Sequence, residues 1–292
     1  MKRLFSAVLA VTLAMTVGIH AAAVSVKQDV AFSVNGENTY PGEVVVLRVE
    51  GVSSEQDVTV QTGINFEPKF YSHPDGGKIA LLPVSYYTAP GEYNLTINSA
   101  GKSRNFTITV NTKEFETQHL TVPPSTAEQT ILSQKANAEY EQVVAPLRPV
   151  ADNMMYWDAQ FILPCSDKKV TTQFGLVRYT NGSSTPSRHG ALDLAVPHGT
   201  NVAATGNGRV IYSGYLQLTG NTIIVEHGYG LKSWHYHMNS RSVETGDLIT
   251  QGQIIGTVGT TGFSTGPHLH FGMSVNNVFI NPYTAINTDL LI

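Results

Sequence analysis

The chain has 292 residues, of which 41% are apolar and 14% charged, with a formal charge of −4. That apolar share supports a real core and excludes wholesale disorder. The sequence contains no cluster of Lys and Arg, which excludes nucleic-acid binding through phosphate neutralisation.

Lys2 and Arg3 precede an apolar run from Leu4 to Ile19, and Ala21, Ala22 and Ala23 follow it. A basic start, a short apolar stretch and small residues read as a secretory signal over residues 1–23. The run is shorter than the roughly 20 residues of a membrane span, so export with no stable membrane insertion after signal cleavage is expected. An exported domain stapled by disulfides would carry several cysteines, and this chain has one, Cys165. Cys165 therefore reads as a small buried hydrophobe.

Residues 24–112 read as short strands punctuated by turns. Val44-Val45-Val46-Leu47-Arg48-Val49, apolar except for Arg48, reads as a buried strand, and Asp57 to Gln61 alternates. Lys78 to Val84 follows the Asp75-Gly76-Gly77 turn, and Glu92 to Asn98 and Asn105 to Val110 alternate again. Five strands without a helix predict an immunoglobulin-like β-sandwich, although the Cys and Trp pattern of antibody domains is absent.

Residues 113–155 read as a linker with one helix. Pro123-Pro124 closes the preceding segment, Ser125-Thr126-Ala127-Glu128 resembles a capping box, and Pro146 ends the helix. Ile131, Ala138 and Val143-Val144 give it a weak apolar stripe. Residues 156–292 return to Gly-rich turns between alternating strands. The chain is thus expected to be all-β apart from the linker helix.

Seven of the ten histidines lie between His189 and His270. Crowded histidine in a nearly neutral protein points to a metal. His189 and Asp193 are four apart, and His268 and His270 two apart, so on strands each pair shares a face. Three such ligands with an open fourth position are the arrangement of a catalytic zinc. No His-Glu-x-x-His occurs, and Gly259, Gly262 and Gly266 lack the Gly-Lys-Ser/Thr ending of a phosphate loop.

From about Phe161 to Tyr283 the chain resembles the lysostaphin/LytM-type zinc metalloendopeptidases that cut peptidoglycan. The resemblance rests on motifs in order: Thr172-Gln173-Phe174-Gly175, Arg188-His189-Gly190-Ala191-Leu192-Asp193, Pro197-His198-Gly199-Thr200-Asn201-Val202, Gly220-Asn221-Thr222-Ile223-Ile224 and Trp234-His235-Tyr236-His237-Met238. The most specific is Ser264-Thr265-Gly266-Pro267-His268-Leu269-His270-Phe271-Gly272. Gln118 to Pro124 also looks like the exit from the immunoglobulin-like N-terminal module of some members.

The resemblance implies a β-sheet, barrel-like metallopeptidase domain of the duplicated hybrid motif type. It implies that His189, Asp193 and His270 bind Zn2+ and that His237 and His268 are the catalytic pair. His235 stands where the family usually has Tyr. Even spacing would put His235 on the face of His237, so His235 and Asn221 are candidate groove residues. Some members use a tyrosine at the transition state, and Tyr179, Tyr212 and Tyr215 are the candidates here. The implied function is an exported zinc endopeptidase of the bacterial cell envelope, in periplasm or wall, with peptidoglycan as its partner. The alternatives are a non-catalytic envelope module that binds wall or activates another hydrolase, and an adhesin whose histidines store metal.

Overall fold

A computed structural model describes residues 29–53, 55–129, 133–166, 168–287 and 290. The expected signal, residues 1–23, and Ile131 of the linker stripe lie outside the described residues.

The five strands expected before residue 112 are all present, at Val44–Glu50, Val58–Thr62, Lys78–Pro83, Gly91–Ser99 and Lys102–Val110. Short strands at Ala31–Asn35, Asn38–Thr39 and Tyr71–Ser72 complete two four-stranded sheets. The sheets face each other over one core: Val45, Leu47, Ala80 and Leu82 come from the first, and Leu95, Ile97, Ile108 and Val110 from the second.

Val44–Glu50 is buried on both faces, which explains why it is apolar at consecutive positions apart from Arg48. Val45, Leu47 and Val49 enter the sandwich core. Val44 and Val46 point the other way and, with Tyr71, Ile79 and Leu81, join the core of the C-terminal half. Each such side chain contributes about 1.5–3 kcal/mol when fully buried. Tyr71 also stacks on Tyr229 with ring centroids 4.7 Å apart, and the Tyr229 hydroxyl donates to the Ser72 carbonyl at 2.6 Å. The two halves thus share apolar surface rather than merely a linker.

The linker is more structured than its sequence predicts. Thr117–Leu120 is a strand, parallel to Val177–Thr180 of the C-terminal half. A short helix covers Pro124–Gln129, and the main helix runs Gln134–Val144. The main helix is capped by Ser133, whose hydroxyl accepts from the Ala136 N–H at 3.2 Å, and not by the expected box at Ser125. Val144, with Tyr140 and Val143 beside it, packs on Ile211, Ile224, Trp234 and Tyr236. The helix therefore lies against the large sheet.

That sheet has the order Lys169–Thr172, Ala191–Ala195, Leu269–Val275, Leu231–Arg241, Gly220–Gly228, Gly208–Leu216 and Leu248–Ile249. Its inner face buries Leu192, Leu194, Ile223, Val225, Phe271 and Met273. Cys165 is buried with them, and burial pushes its thiol up to about 11, so it is an inert core residue as expected. Among the described residues, no helix is long and apolar enough to cross a membrane.

Candidate metal centre

Three strands bring the centre into one row. Asp193 on Ala191–Ala195 lies directly opposite His270 on Leu269–Val275, and His270 lies opposite Tyr236 on Leu231–Arg241. Residues paired across antiparallel strands share a face. His268, two residues before His270, projects to the same side.

His189 enters from the segment between the strands Ser187–Arg188 and Ala191–Ala195. Its backbone N–H donates to Leu176 at 3.0 Å, and its carbonyl accepts from Gly175 at 2.7 Å. Gly175 has φ +83°, and a Cβ there would collide with the Phe115 ring, so this turn requires glycine. The turn presents the Gln173 carbonyl to His189 Nδ1 at 3.1 Å. A carbonyl only accepts, so Nδ1 carries the proton and Nε2 is left with a lone pair.

That Nε2 is 3.0 Å from Asp193 Oδ1 and 3.2 Å from His270 Nδ1, and His270 Nδ1 is 3.0 Å from Asp193 Oδ1. Among the described residues these three form a cluster able to hold a metal ion. Acceptor atoms at such distances demand a cation between them, either protons on the imidazoles or a metal. The edges suit zinc: bonds of about 2.0–2.1 Å at tetrahedral angles separate ligand atoms by roughly 3.4 Å. Burial alone would raise the Asp193 carboxyl. The His189 and His270 rings, which favour the charged carboxylate, outweigh it and hold the carboxyl well below the usual range, so the centre presents an anion. Burial lowers the pKa of His270, against the pull of Asp193.

The other two histidines lie beside this cluster. His268 Nε2 is 3.9 Å from Asp193 Oδ1, and its Nδ1 donates to the Gly266 carbonyl at 2.8 Å, with Ser264 Oγ at 3.2 Å. The His237 ring lies 4.9 Å from that of His268 and 5.9 Å from that of His270, and its Nδ1 donates to the Thr261 carbonyl at 2.8 Å. Burial, reinforced by the His270 and His268 charges, pushes His237 down to about 3. In the neutral tautomers, both rings therefore carry an unprotonated Nε2.

His237 has φ 61°, a conformation that costs a non-glycine residue about 1–3 kcal/mol. Several bonds hold it there. Its N–H donates to Thr219 at 2.8 Å, and Asn221 Nδ2 donates to the carbonyls of Met238 and Asn239 at 3.1 and 3.0 Å. The left-handed residue breaks the alternation, so Tyr236 and His237 both reach His270.

This kink overturns the expectation for His235. His235 turns to the opposite face, is wholly buried, and sits 5.5 Å from the Phe271 ring. It is a core residue and not part of the groove. Asn221 is also engaged within the protein: beyond its two donor bonds, its Oδ1 accepts from Arg241 Nε at 3.2 Å. It braces the His237 bend.

Sequence reasoning missed Tyr236, whose ring lies flat on His270 at 5.1 Å and 1°. Its hydroxyl is 3.0 Å from that of Tyr140 on the linker helix. The signal was its place opposite His270, which shows only once strands are paired. Among the three tyrosines considered from sequence, Tyr179 stacks on His119 at 5.1 Å, Tyr212 bonds the Tyr215 carbonyl at 3.5 Å, and Tyr215 is 57% exposed.

Known proteins are similar to this part of the chain. The family model for Peptidase family M23 matches residues 187–282, which include His189, Asp193, His237, His268 and His270. The chain is 36% identical over 122 residues to the peptidoglycan DD-endopeptidase ShyC of Vibrio cholerae, covering 42% of this chain and 28% of that protein. It is 36% identical over 97 residues to the DD-carboxypeptidase/endopeptidase Mpg of Neisseria meningitidis, covering 33% of this chain and 22% of that one. The chain thus spans less than a third of these relatives. A Pseudomonas aeruginosa crystal structure that carries the peptidase M23 name shares the fold over 85% of this chain and 94% of its own, with TM-score 0.58 and 23% identity. The segment that carries the three candidate ligands and both neighbouring histidines is thus the segment, residues 187–282, that matches the model of peptidase family M23.

Proposed function

We propose that the chain is an exported zinc metalloendopeptidase that hydrolyses peptide bonds in peptidoglycan. The observation that carries this reading is the convergence of three ligand atoms, within 3.2 Å of one another, with two imidazoles beside them. The names of ShyC and Mpg support the substrate class.

His189 Nε2, Asp193 Oδ1 and His270 Nδ1 would hold the zinc. Zinc bound there supplies Lewis-acid activation of the scissile carbonyl and of the attacking water. The rest is the work of this chain's own groups. Nε2 of His268, aimed by the Gly266 carbonyl, accepts the proton of the attacking water. Once protonated, the same nitrogen becomes a donor and passes the proton to the leaving amine. His237, fixed by Thr261 and the bend at Asn221, lies beside His268, where its unprotonated Nε2 accepts a hydrogen bond from the attacking water and orients it. The sandwich within residues 24–112, an immunoglobulin-like module in this reading, supports the metallopeptidase domain of residues 156–292 through the shared core, and the signal over residues 1–23 delivers both to the cell envelope.

The test is digestion of purified peptidoglycan by the mature chain, with the products read by mass spectrometry beside a His268→Ala control. Cleaved cross-links or stem peptides only with the unsubstituted protein support the reading. Intact walls with zinc bound would overturn it.

A further inference from the structure

A second concave site lies away from the metal centre, where three parts of the chain meet. It is a cavity of about 980 Å³. One wall is made by sandwich segments around Asn65 and Ser85 to Tyr93, another by the turn Ala145 to Pro149 after the linker helix, and the third by the Asn276-Asn277 hairpin tip. That volume is at the upper end of what holds a drug-sized ligand.

The lining chemistry is specific. Phe66, Tyr87 and Tyr93 supply aromatic surface, and Tyr87 is 70% exposed, the joint-highest exposure among the large hydrophobics. A large ring held out in water beside a cavity offers a flat apolar face to a ligand. One side of Tyr87 is already engaged: Tyr86 meets it edge-on at 4.6 Å, and the Arg188 guanidinium lies 5.9 Å from its ring. These contacts hold the ring in place, so little side-chain freedom is lost on binding.

The polar groups are mostly uncharged. Asn65, Asn277, Ser85 and Thr88 are neutral donors and acceptors. The cation on the wall, Arg148, gives both terminal nitrogens to Glu141 at 2.8 Å, and Glu67 is the lone acid. A cavity without a free cation does not select a carboxylate or a phosphate. Rigid rings beside amides and hydroxyls match a ligand with flat C–H faces edged by hydroxyl and acetamido groups.

We infer that the cavity lined by Tyr87, Asn65 and Asn277 binds N-acetylhexosamine oligosaccharide, the glycan strand of the wall whose peptides the metal centre would cut. The inference rests on the proposed peptidoglycan function and deepens it. Because the cavity is walled by both halves of the chain, the sandwich becomes part of substrate capture. A glycan held there would tether the enzyme to its polymer while the separate metal centre works on attached peptides.

The experiment titrates the full mature chain with peptide-free N-acetylglucosamine tetrasaccharide, followed by calorimetry and by nuclear magnetic resonance. Cleavage of a soluble cross-linked stem peptide is assayed separately. The unsubstituted chain should bind the sugar saturably, and Tyr87→Ala and Asn277→Ala, both at accessible positions, should each weaken it about fivefold. The substitution Phe263→Ala, in a different pocket, should leave sugar affinity as it was. If the unsubstituted chain cleaves the peptide yet binds no sugar, the inference fails and the peptidase reading stands. If sugar binds but no peptide is cleaved, the peptidase reading fails instead. Sugar affinity indifferent to Tyr87→Ala and Asn277→Ala, or preference of the cavity for free stem peptide, would also overturn the inference.

Discussion

The ring of Tyr236 lies flat against His270, with centroids 5.1 Å apart and planes within 1°. His270 is thereby fixed between this ring and Asp193, and the Tyr236 hydroxyl ties the stack to Tyr140 of the linker helix. Groups that orient a metal ligand affect affinity even without touching the metal. Tyr236→Ala should weaken zinc binding by about 10–100-fold, whereas Tyr236→Phe, which keeps the ring, should stay within about threefold of the original. Competition with a zinc chelator would measure both, and equal loss in the two variants would show that the hydroxyl, not the stack, matters.

The ligand set makes a simpler prediction. Asp193→Ala removes the anionic ligand, so bound zinc should fall from about one ion per chain to near zero, with hydrolysis lost. Chelation of the unsubstituted chain should abolish hydrolysis, and added zinc should restore it. Cleavage that survives chelation would contradict the assignment.

Two buried histidines outside the metal centre predict a pH dependence of stability. Burial pushes His227 down to about 4 and His235 down to about 3. Unfolded, each has a pKa of about 6.5. Between those values the unfolded chain binds more protons than the folded one, so stability rises with pH. Their contribution is fully present above pH 6.5 and is lost as pH falls through the folded values. At pH 5 each costs about 2 kcal/mol relative to neutral pH. Urea unfolding of the zinc-free chain at pH 7 and pH 5 should show this drop. His235→Leu, at a side chain whose nitrogens have no hydrogen-bond partner, should shrink the drop by about 2 kcal/mol.

Lys232 and Glu226 form an ion pair at 3.3 Å with both side chains wholly buried. Glu226 Oε1 accepts from the N–H groups of Asp152, Gly228 and Gly230, while Oε2 has only the Lys232 ammonium, close but outside hydrogen-bond geometry. Lys232→Met strands a buried carboxylate and should cost about 3–5 kcal/mol. Adding Glu226→Gln keeps the Oε1 acceptor and removes the charge, so the double variant should recover much of that loss. A double-mutant cycle by denaturant unfolding decides it.

Much of the fold and of the centre was legible before any tertiary contact was known. Val44 to Val49 announced a strand buried on both faces, and Gly91–Ser99 and Lys102–Val110 alternated as one-sided strands do. Strand geometry repeats every two residues, so His189 with Asp193, and His268 with His270, could be paired on shared faces, and the motif resemblance narrowed these four to His189, Asp193 and His270. That rule is local, and it fails where the backbone leaves the β region. At His237 φ is 61°, so the same rule that pairs His268 with His270 misplaced His235. The bend is held by Thr219, Thr261 and Asn221, from segments 16 or more residues away, so no local window contains its cause. Tyr236 against His270, the linker helix on the large sheet and the cavity between the halves have the same origin. The sequence determined which residues prefer strands and which could bind metal, since those follow from each residue's own chemistry. Only the tertiary structure decided which of them meet, because contacts between distant segments depend on how the strands pair and pack.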